Sequence, residues 1–338
     1  MPELPEVETV RRQLEPELVG RRITSAEVLD ERLTRPEPPR ALERAVEDRE
    51  VTAVARRGKY LLVGLEGGRT LALHLRMTGN LLLRDPAEGV TADLMKSDPA
   101  SHESGSAEPR APSHQPRLYE SKPEPSHIRA RFELDDGRAL LFTDVRRFGQ
   151  AVVLDAGDQL DDFFASRLGV EPLSGDLTPE RLLELAANRK APLKSFLLSQ
   201  SRIAGIGNIY ADEALWRARL HPLSPAGSMR REHAARLVEG IVGALQAGLD
   251  HGGASIDDYL DARGEPGSMQ EEFLVHTREG EPCLRPGEEH RPSPAPVIQR
   301  IVVTGRSTYF CPNCQERLRR RPRRRKPARR AGRGTGAR

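Results

Sequence analysis

The sequence predicts an α+β protein: a mainly antiparallel sheet domain opened by one helix, then a helical half, then a short cysteine-bearing segment. Three patterns carry this reading. Residues Leu4, Val7, Val10, Leu14 and Leu18 recur at helical spacing. Between Val51 and Leu154 apolar residues alternate with period two, interrupted by Gly67-Gly68 and Asp135-Asp136-Gly137. After Asp158 the apolar period returns to 3.6.

Each element follows from local chemistry. The first helix, 4–18, tolerates Pro5 because a first helical turn has no use for that N–H. Tyr60-Leu61-Leu62-Val63-Gly64-Leu65 and Leu71-Ala72-Leu73-His74-Leu75 read as strands paired across Gly67-Gly68. Residues 128–134 and 139–143 form a second hairpin signal, and 151–154 a further strand. Residues 84–126 hold seven prolines, many Ser and Glu, and one aromatic, Tyr119, so they read as a disordered insertion that cannot bury enough apolar surface to offset ordering entropy. Helices are expected at 161–168, 179–188, 193–199, 208–217 and 229–249. This gives units at 1–157, 158–266 and 267–316, followed by a tail, 317–338.

The charge balance is uneven. The chain of 338 residues carries a net +3, but residues 317–338 hold twelve Lys/Arg and no acid, which leaves −9 on the rest. The tail reads as disordered and polyanion-binding, or as a solubility remnant. No apolar run reaches the ~18 residues of a membrane span, and the acidic start lacks a signal peptide's regions. The expectation is a soluble cytoplasmic protein. Three cysteines, Cys283, Cys311 and Cys314, are too few and too clustered for a secreted disulfide framework and suggest a metal instead.

The N-terminus offers chemistry of its own. Removal of Met1 leaves Pro2 as a free secondary amine, and an α-amino group with a pKa near ~7.7–8.0 is partly an unprotonated nucleophile at neutral pH. Such an amine can form a Schiff base with an aldehyde carbon. Glu3 and Glu6 lie beside it, suited to donating a proton and to holding the amine in place. Alone, the same residues also fit an acidic helix start. Likewise Lys59 alone fits a solvated strand lysine, and Met77 or Phe148 alone fits a core side chain.

The segment Pro2-Glu3-Leu4-Pro5-Glu6-Val7-Glu8-Thr9-Val10-Arg11-Arg12 resembles the opening of the formamidopyrimidine-DNA glycosylase family, bacterial enzymes that excise oxidised purines. Further segments resemble its motifs in order: Arg56-Arg57-Gly58-Lys59-Tyr60, His74-Leu75-Arg76-Met77-Thr78-Gly79, Asp144-Val145-Arg146-Arg147-Phe148-Gly149, Gly205-Ile206-Gly207-Asn208-Ile209-Tyr210-Ala211-Asp212-Glu213, and Gly305-Arg306-Ser307-Thr308-Tyr309-Phe310-Cys311. The resemblance implies a two-sheet β-sandwich, a helix-two-turn-helix domain and a zinc-finger β-hairpin, with damaged duplex DNA in the cleft of a monomer at the bacterial nucleoid. It implies Pro2 as the Schiff-base nucleophile, Glu3 as proton donor and Glu6 as a second active-site carboxylate. Lys59 is similar to the family's β-elimination proton donor and phosphate contact, and Arg306 to the arginine of the δ-elimination step. Met77, Arg146 and Phe148 then fill the space of an extruded nucleotide. His127, Arg147, Lys190 and Asn208 become backbone contacts, Asn208 at a helix start that attracts anions. The loop from Gly252-Gly253-Ala254-Ser255 to Gly267 resembles one that closes over the damaged base. Two other functions stay open: an endonuclease VIII-like enzyme for oxidised pyrimidines, whose start has Gly where Leu4 stands, and a damage-binding protein without catalysis.

The metal site departs from the family pattern. A structural zinc takes four ligands, often two Cys pairs, and Cys311-Pro312-Asn313-Cys314 supplies one pair. Cys283 has no partner before Cys311; His290, or else Glu288 or Glu289, can complete a Zn²⁺ site with Cys283, Cys311 and Cys314. The alternative is a hairpin held by packing alone.

Overall fold

The computed structural model describes residues 2–85, 125–155, 157–256, 258–285 and 296–319. Most of the insertion and the tail, with His290, Glu288 and Glu289, lies outside the described residues. Helix α1, Leu4–Leu18, forms where expected, with Pro5 in its first turn. Eight strands follow: β1 Arg22–Val28, β2 Arg49–Arg57, β3 Tyr60–Leu65, β4 Arg69–His74, β5 Gly79–Arg84, β6 Ile128–Leu134, β7 Ala139–Asp144 and β8 Gln150–Asp155. All pair antiparallel in the order β5-β7-β6-β1-β2-β3-β4-β8. The two expected sheets are its four-stranded halves, and only Arg22↔Glu50 and Ile23↔Arg49 join them through β1 and β2. Leu61, Val63, Leu71 and Leu73 from one half share a buried core with Ala130, Phe132, Leu140 and Phe142 from the other, and with Val7, Val10 and Leu14 of α1.

The expected β3–β4 and β6–β7 hairpins are present. Strand β1 and helix α2, Pro39–Val46, were not legible because each buries only two residues: Ile23 and Ala26, and Leu42 and Val46. The helical half contains α3 Asp158–Ala165, α4 Pro179–Ala186, α5 Leu193–Leu197, α6 Asn208–Arg217 and α7 Arg231–Asp250. Helix α3 packs Phe164 against Tyr60, Leu62, Ala72 and Leu154, so the sheet's packing extends past residue 157. The other four helices enclose a second core, and Leu4 of α1 belongs to it. A two-stranded hairpin, β9 Gln299–Val303 and β10 Arg306–Phe310, closes the described chain. Among the described residues no helix is long and apolar enough to cross a membrane.

Leu14, fully buried between α1 and the sheet, gives a first prediction. Leu14→Ala should lower the unfolding free energy by about 2–5 kcal/mol, the range for a large-to-small core change. Urea titration checks it, and an unchanged midpoint would show that α1 is not part of the sheet's core.

Candidate active site and nucleic-acid interface

Helix α1 enters two cores at once. Leu4 packs with the helical half while Val7, Val10 and Leu14 pack with the sheet, so the residues just before Leu4 lie at the junction. The Leu4 N–H donates to the Gly205 carbonyl at 3.0 Å. Gly205 has φ +82°, and a Cβ there would meet the Leu4 side chain. A Cβ at Gly207 would run into the Glu3 carboxylate. These glycines let the start of α6 approach the start of α1, and the backbone N–H groups of Ile209 and Tyr210 donate to Glu3 at 3.1 and 3.4 Å. An anion at a helix N-terminus is stabilised by those free donors and by the helix dipole.

Pro2, Glu3 and Glu6 are all buried. Glu6 accepts from the Glu3 N–H at 2.8 Å, from the Tyr210 hydroxyl at 2.7 Å and from the Ala254 N–H at 2.8 Å. Burial raises its pKa above the ordinary carboxylate value and the charge of Glu3 adds to the rise, while the three hydrogen bonds oppose it. The Ala254 bond brings the Gly252-Gly253 loop to the site, and Tyr259 secures it by donating to the carbonyls of Glu6 and Gly252.

Lys59 sits in the turn between β2 and β3, 5% exposed, and is no solvated lysine. Burial lowers its pKa, Glu3 and Glu6 raise it, and Arg306 lowers it further, so these four charges share one field. The turn is fixed from below: Glu171 accepts from the Gly58 N–H and from Arg56 at 3.0 Å, and Arg56 also pairs with Glu8 at 3.1 Å. Arg306 is exposed at the start of β10. Asn208, the first residue of α6, donates to the Ser307 carbonyl at 3.1 Å and so ties that helix to the hairpin.

A second group lies at one end of the sheet. Met77, Arg146, Arg147 and Phe148 are exposed, with Met77 at 39% and Phe148 at 50%, so neither apolar side chain is core. The Arg146 guanidinium lies 5.0 Å from the Phe148 ring centroid, and Arg147 pairs with Asp30 at 3.5 Å. His127 is half-buried just before β6, and Lys190 is exposed between α4 and α5. Three residues of consequence were missed from sequence. Lys194, fully buried in α5, pairs with Asp212 and donates to the Asn208 carbonyl at 3.0 Å; its signal was a lysine inside the apolar run of a short helix. His276 meets the other Asp212 oxygen at 3.0 Å. Asn80 clasps the loop that follows Gly252-Gly253, donating to the Asp258 carbonyl at 2.8 Å and accepting from the Leu260 N–H at 2.9 Å.

Three family models match the chain in order: the formamidopyrimidine-DNA glycosylase N-terminal domain over residues 1–151, its H2TH domain over 168–259, and the zinc finger found in FPG and IleRS over 297–317. The chain belongs to the formamidopyrimidine-DNA glycosylase family. It is 40% identical over 317 residues to the formamidopyrimidine-DNA glycosylase of Chloroflexus aurantiacus, covering 93% of this chain and 98% of that one. With the enzyme of Heliobacterium modesticaldum it shares 40% over 316 residues, 94% and 100% of the two chains. Its fold matches Lactococcus lactis Fpg in complex with abasic-site DNA, with TM-score 0.73, 30% identity, and 93% and 100% coverage. It also matches the wild-type form of that protein in complex with DNA containing an oxidised pyrimidine, with TM-score 0.73, 31% identity, and 94% and 100% coverage.

The family's zinc finger is tested here by its donors. The sulfurs of Cys283, Cys311 and Cys314 all lie within 4.8 Å of one another. The Trp216 indole N–H donates to the Cys283 sulfur at 3.3 Å, and the Arg285 guanidinium stacks on that indole at 4.1 Å. Mutual hydrogen bonding pushes the Cys283 thiol down and the Cys314 thiol up. Three soft donors converging on one point, one of them accepting from an indole N–H, fit three of the four ligands of a structural zinc. The hairpin carrying Arg306 grows from this knot.

The cysteine cluster and a buried histidine each yield a measurable expectation. Elemental analysis should find about one zinc per chain, lost in Cys314→Ala; chelation should weaken DNA binding before it melts the two main cores, which contain no cysteine. The histidine is His74, whose Nδ1 accepts from the Arg76 N–H at 3.0 Å while its ring meets Tyr60 edge-on. Burial, with Arg76 and Lys59 nearby, lowers its pKa from 6.5 to about 3. Between those values the unfolded chain binds a proton that the folded one refuses, so stability falls as pH drops from 6.5 toward 3, by about 1.4 kcal/mol per pH unit at most. His74→Asn, which keeps an acceptor for Arg76, should show a shallower loss in urea titrations across that window; an identical slope would reject the assignment.

Proposed function

We propose that this protein is a bifunctional DNA glycosylase and AP lyase that excises oxidised purines, 8-oxoguanine and formamidopyrimidines, from duplex DNA and nicks the strand by β,δ-elimination. The observation that supports it best is that a buried lysine, Lys59, shares the field of Glu3, the carboxylate next to Pro2 that is held by the first N–H groups of α6. With Met1 removed, the Pro2 nitrogen attacks the sugar C1′ while the glycosidic bond breaks and the damaged base leaves with its electron pair, taking up a proton, and Glu3 serves as the proton donor. Glu6, bonded to the Glu3 N–H, the Tyr210 hydroxyl and the Ala254 N–H, holds the strand end and the capping loop together. Lys59 and Arg306 are the cations that oppose charge on the departing phosphates in the β and δ steps. Met77, Arg146 and Phe148 occupy the helix and face the unpaired base, while Asn208, His127, Arg147 and Lys190 hold the backbone. Zinc on Cys283, Cys311, Cys314 and a fourth ligand, for which we retain His290, keeps the Arg306 hairpin in place. The protein works as a monomer in the cytoplasm, with the catalytic unit at 1–157, the helix-two-turn-helix unit at 158–266 and the finger at 267–316.

Borohydride reduction on duplex DNA carrying 8-oxoguanine should trap a covalent adduct, and peptide mapping should place it on Pro2. An adduct on Lys59 would overturn the nucleophile assignment. Absence of any adduct would favour a damage-binding protein. Trapping only on oxidised pyrimidines would favour the endonuclease VIII-like reading.

A further inference from the structure

We propose that Thr78 and Asp144 form a buried clamp that sets the spacing between the Met77 turn and the Arg146/Phe148 turn, and so are positioning residues for reading the base opposite the lesion. This rests on the assignment of Met77, Arg146 and Phe148 to the space left by the extruded nucleotide. The two turns leave the same end of the sheet. Met77 lies between β4 and β5, Arg146 and Phe148 between β7 and β8, and the register pairs Gly79 with Asp144 and His74 with Gln150.

The Thr78 hydroxyl donates to the Asp144 carboxylate across this gap. The same Asp144 oxygen accepts from the Arg146 N–H at 3.1 Å, and that N–H also approaches the Thr78 hydroxyl at 3.1 Å. The other carboxylate oxygen accepts from the Gly149 N–H at 2.7 Å, and Arg129 holds the Asp144 carbonyl at 2.8 Å. Thr78 is 5% and Asp144 1% exposed, while Met77 and Phe148 of the same two turns are 39% and 50% exposed. Arg76 and Arg147 both take left-handed backbone, with φ of 57° and 59°, a shape non-glycine residues hold only when the surroundings impose it.

An aspartate that merely closed its own turn would need only the Arg146 and Gly149 N–H groups. The Thr78 hydroxyl adds a bond from the other turn, and a hydrogen bond to a buried carboxylate is stronger and more directional than one between neutral groups. Met77, Phe148 and Arg146 must enter the duplex together, so their relative placement matters more than the placement of any one of them. Reactions that depend on such placement lose rate steeply when it slips by an ångström.

The test compares Thr78→Val, which removes the hydroxyl and keeps the shape, with Thr78→Ser, which restores it, in the full chain. Single-turnover excision is measured on duplexes with 8-oxoguanine opposite C and opposite A, with 2-aminopurine fluorescence beside the lesion reporting insertion. Cleavage of a single-stranded abasic oligonucleotide has no opposing base to hold. Thr78→Val should slow duplex excision about tenfold, delay the fluorescence change and move the C-to-A rate ratio toward unity, as expected when one bond to a charged group is lost. Thr78→Ser should recover the wild-type values, and single-strand cleavage should stay unchanged in both. Wild-type duplex kinetics in Thr78→Val overturn the clamp, and so does an equal loss on single strands, which marks general damage. Met77→Ala and Phe148→Ala run in parallel: if neither slows duplex excision the underlying assignment fails, and if both do while Thr78→Val does not, only the clamp fails.

Discussion

The junction of two helix starts governs this structure. The first turn of α1 carries Glu3, and the first turn of α6 supplies the N–H groups that hold it. Neither core contains this contact, yet it joins them, because Leu4 is buried in one and Val7 in the other. A residue that is both the second from the N-terminus and pinned at a domain junction has little freedom left. The reactive amine therefore needs no lid or loop to place it; the packing of two cores places it. The glycines of Gly205-Ile206-Gly207 belong to the same constraint, since side chains there would push the helix starts apart.

Around that contact the protein buries several charged side chains, among them Glu3, Glu6, Lys59, Lys194, Asp212 and Glu213. An unpaired buried ion is costly, so each must be answered locally. Glu213 is answered by the N–H groups of Leu274, Val275 and His276, which fasten the chain leading to the finger onto α6. Lys194 is answered by Asp212, and Asp212 by His276, which stacks edge-on against Tyr309 of the hairpin. Helices α5 and α6 and the finger thus meet in one polar network. The field that lowers the pKa of Lys59 includes Arg306 from the far side of it. Such networks specify one arrangement, because any shift leaves a charge without its partner.

What the sequence made legible were features whose signal is local. The periodicity of α1 and α6 fixed both helices, and the alternation around Gly67-Gly68 fixed the β3–β4 hairpin. The residues proposed for catalysis could be named from sequence because they fall within short contiguous motifs. What escaped depends on residues far apart: Lys194 and Asp212 are 18 positions apart, Thr78 and Asp144 are 66, and Asn80 and Asp258 are 178. No local pattern announces such pairs, and each residue taken alone reads as surface. Strand β1 escaped for a related reason, since its role is to link two half-sheets through two residue pairs and little of it is buried.

The division between rigid and exposed parts follows the two tasks. Forming a bond at one carbon, the task proposed for Pro2, Glu3, Glu6 and Lys59, needs atoms held to a fraction of an ångström, and all four are buried. Entering a DNA helix, the role proposed for Met77 and Phe148, needs apolar surface that is free until the duplex arrives, and both side chains stand in solvent. Here left-handed residues at Arg76 and Arg147 turn the backbone outward, and the stacking of Arg146 on Phe148 keeps the ring occupied by a polar neighbour. The free protein therefore keeps two apolar side chains in water, and the gain on burying them in DNA offsets part of the cost of unstacking a base.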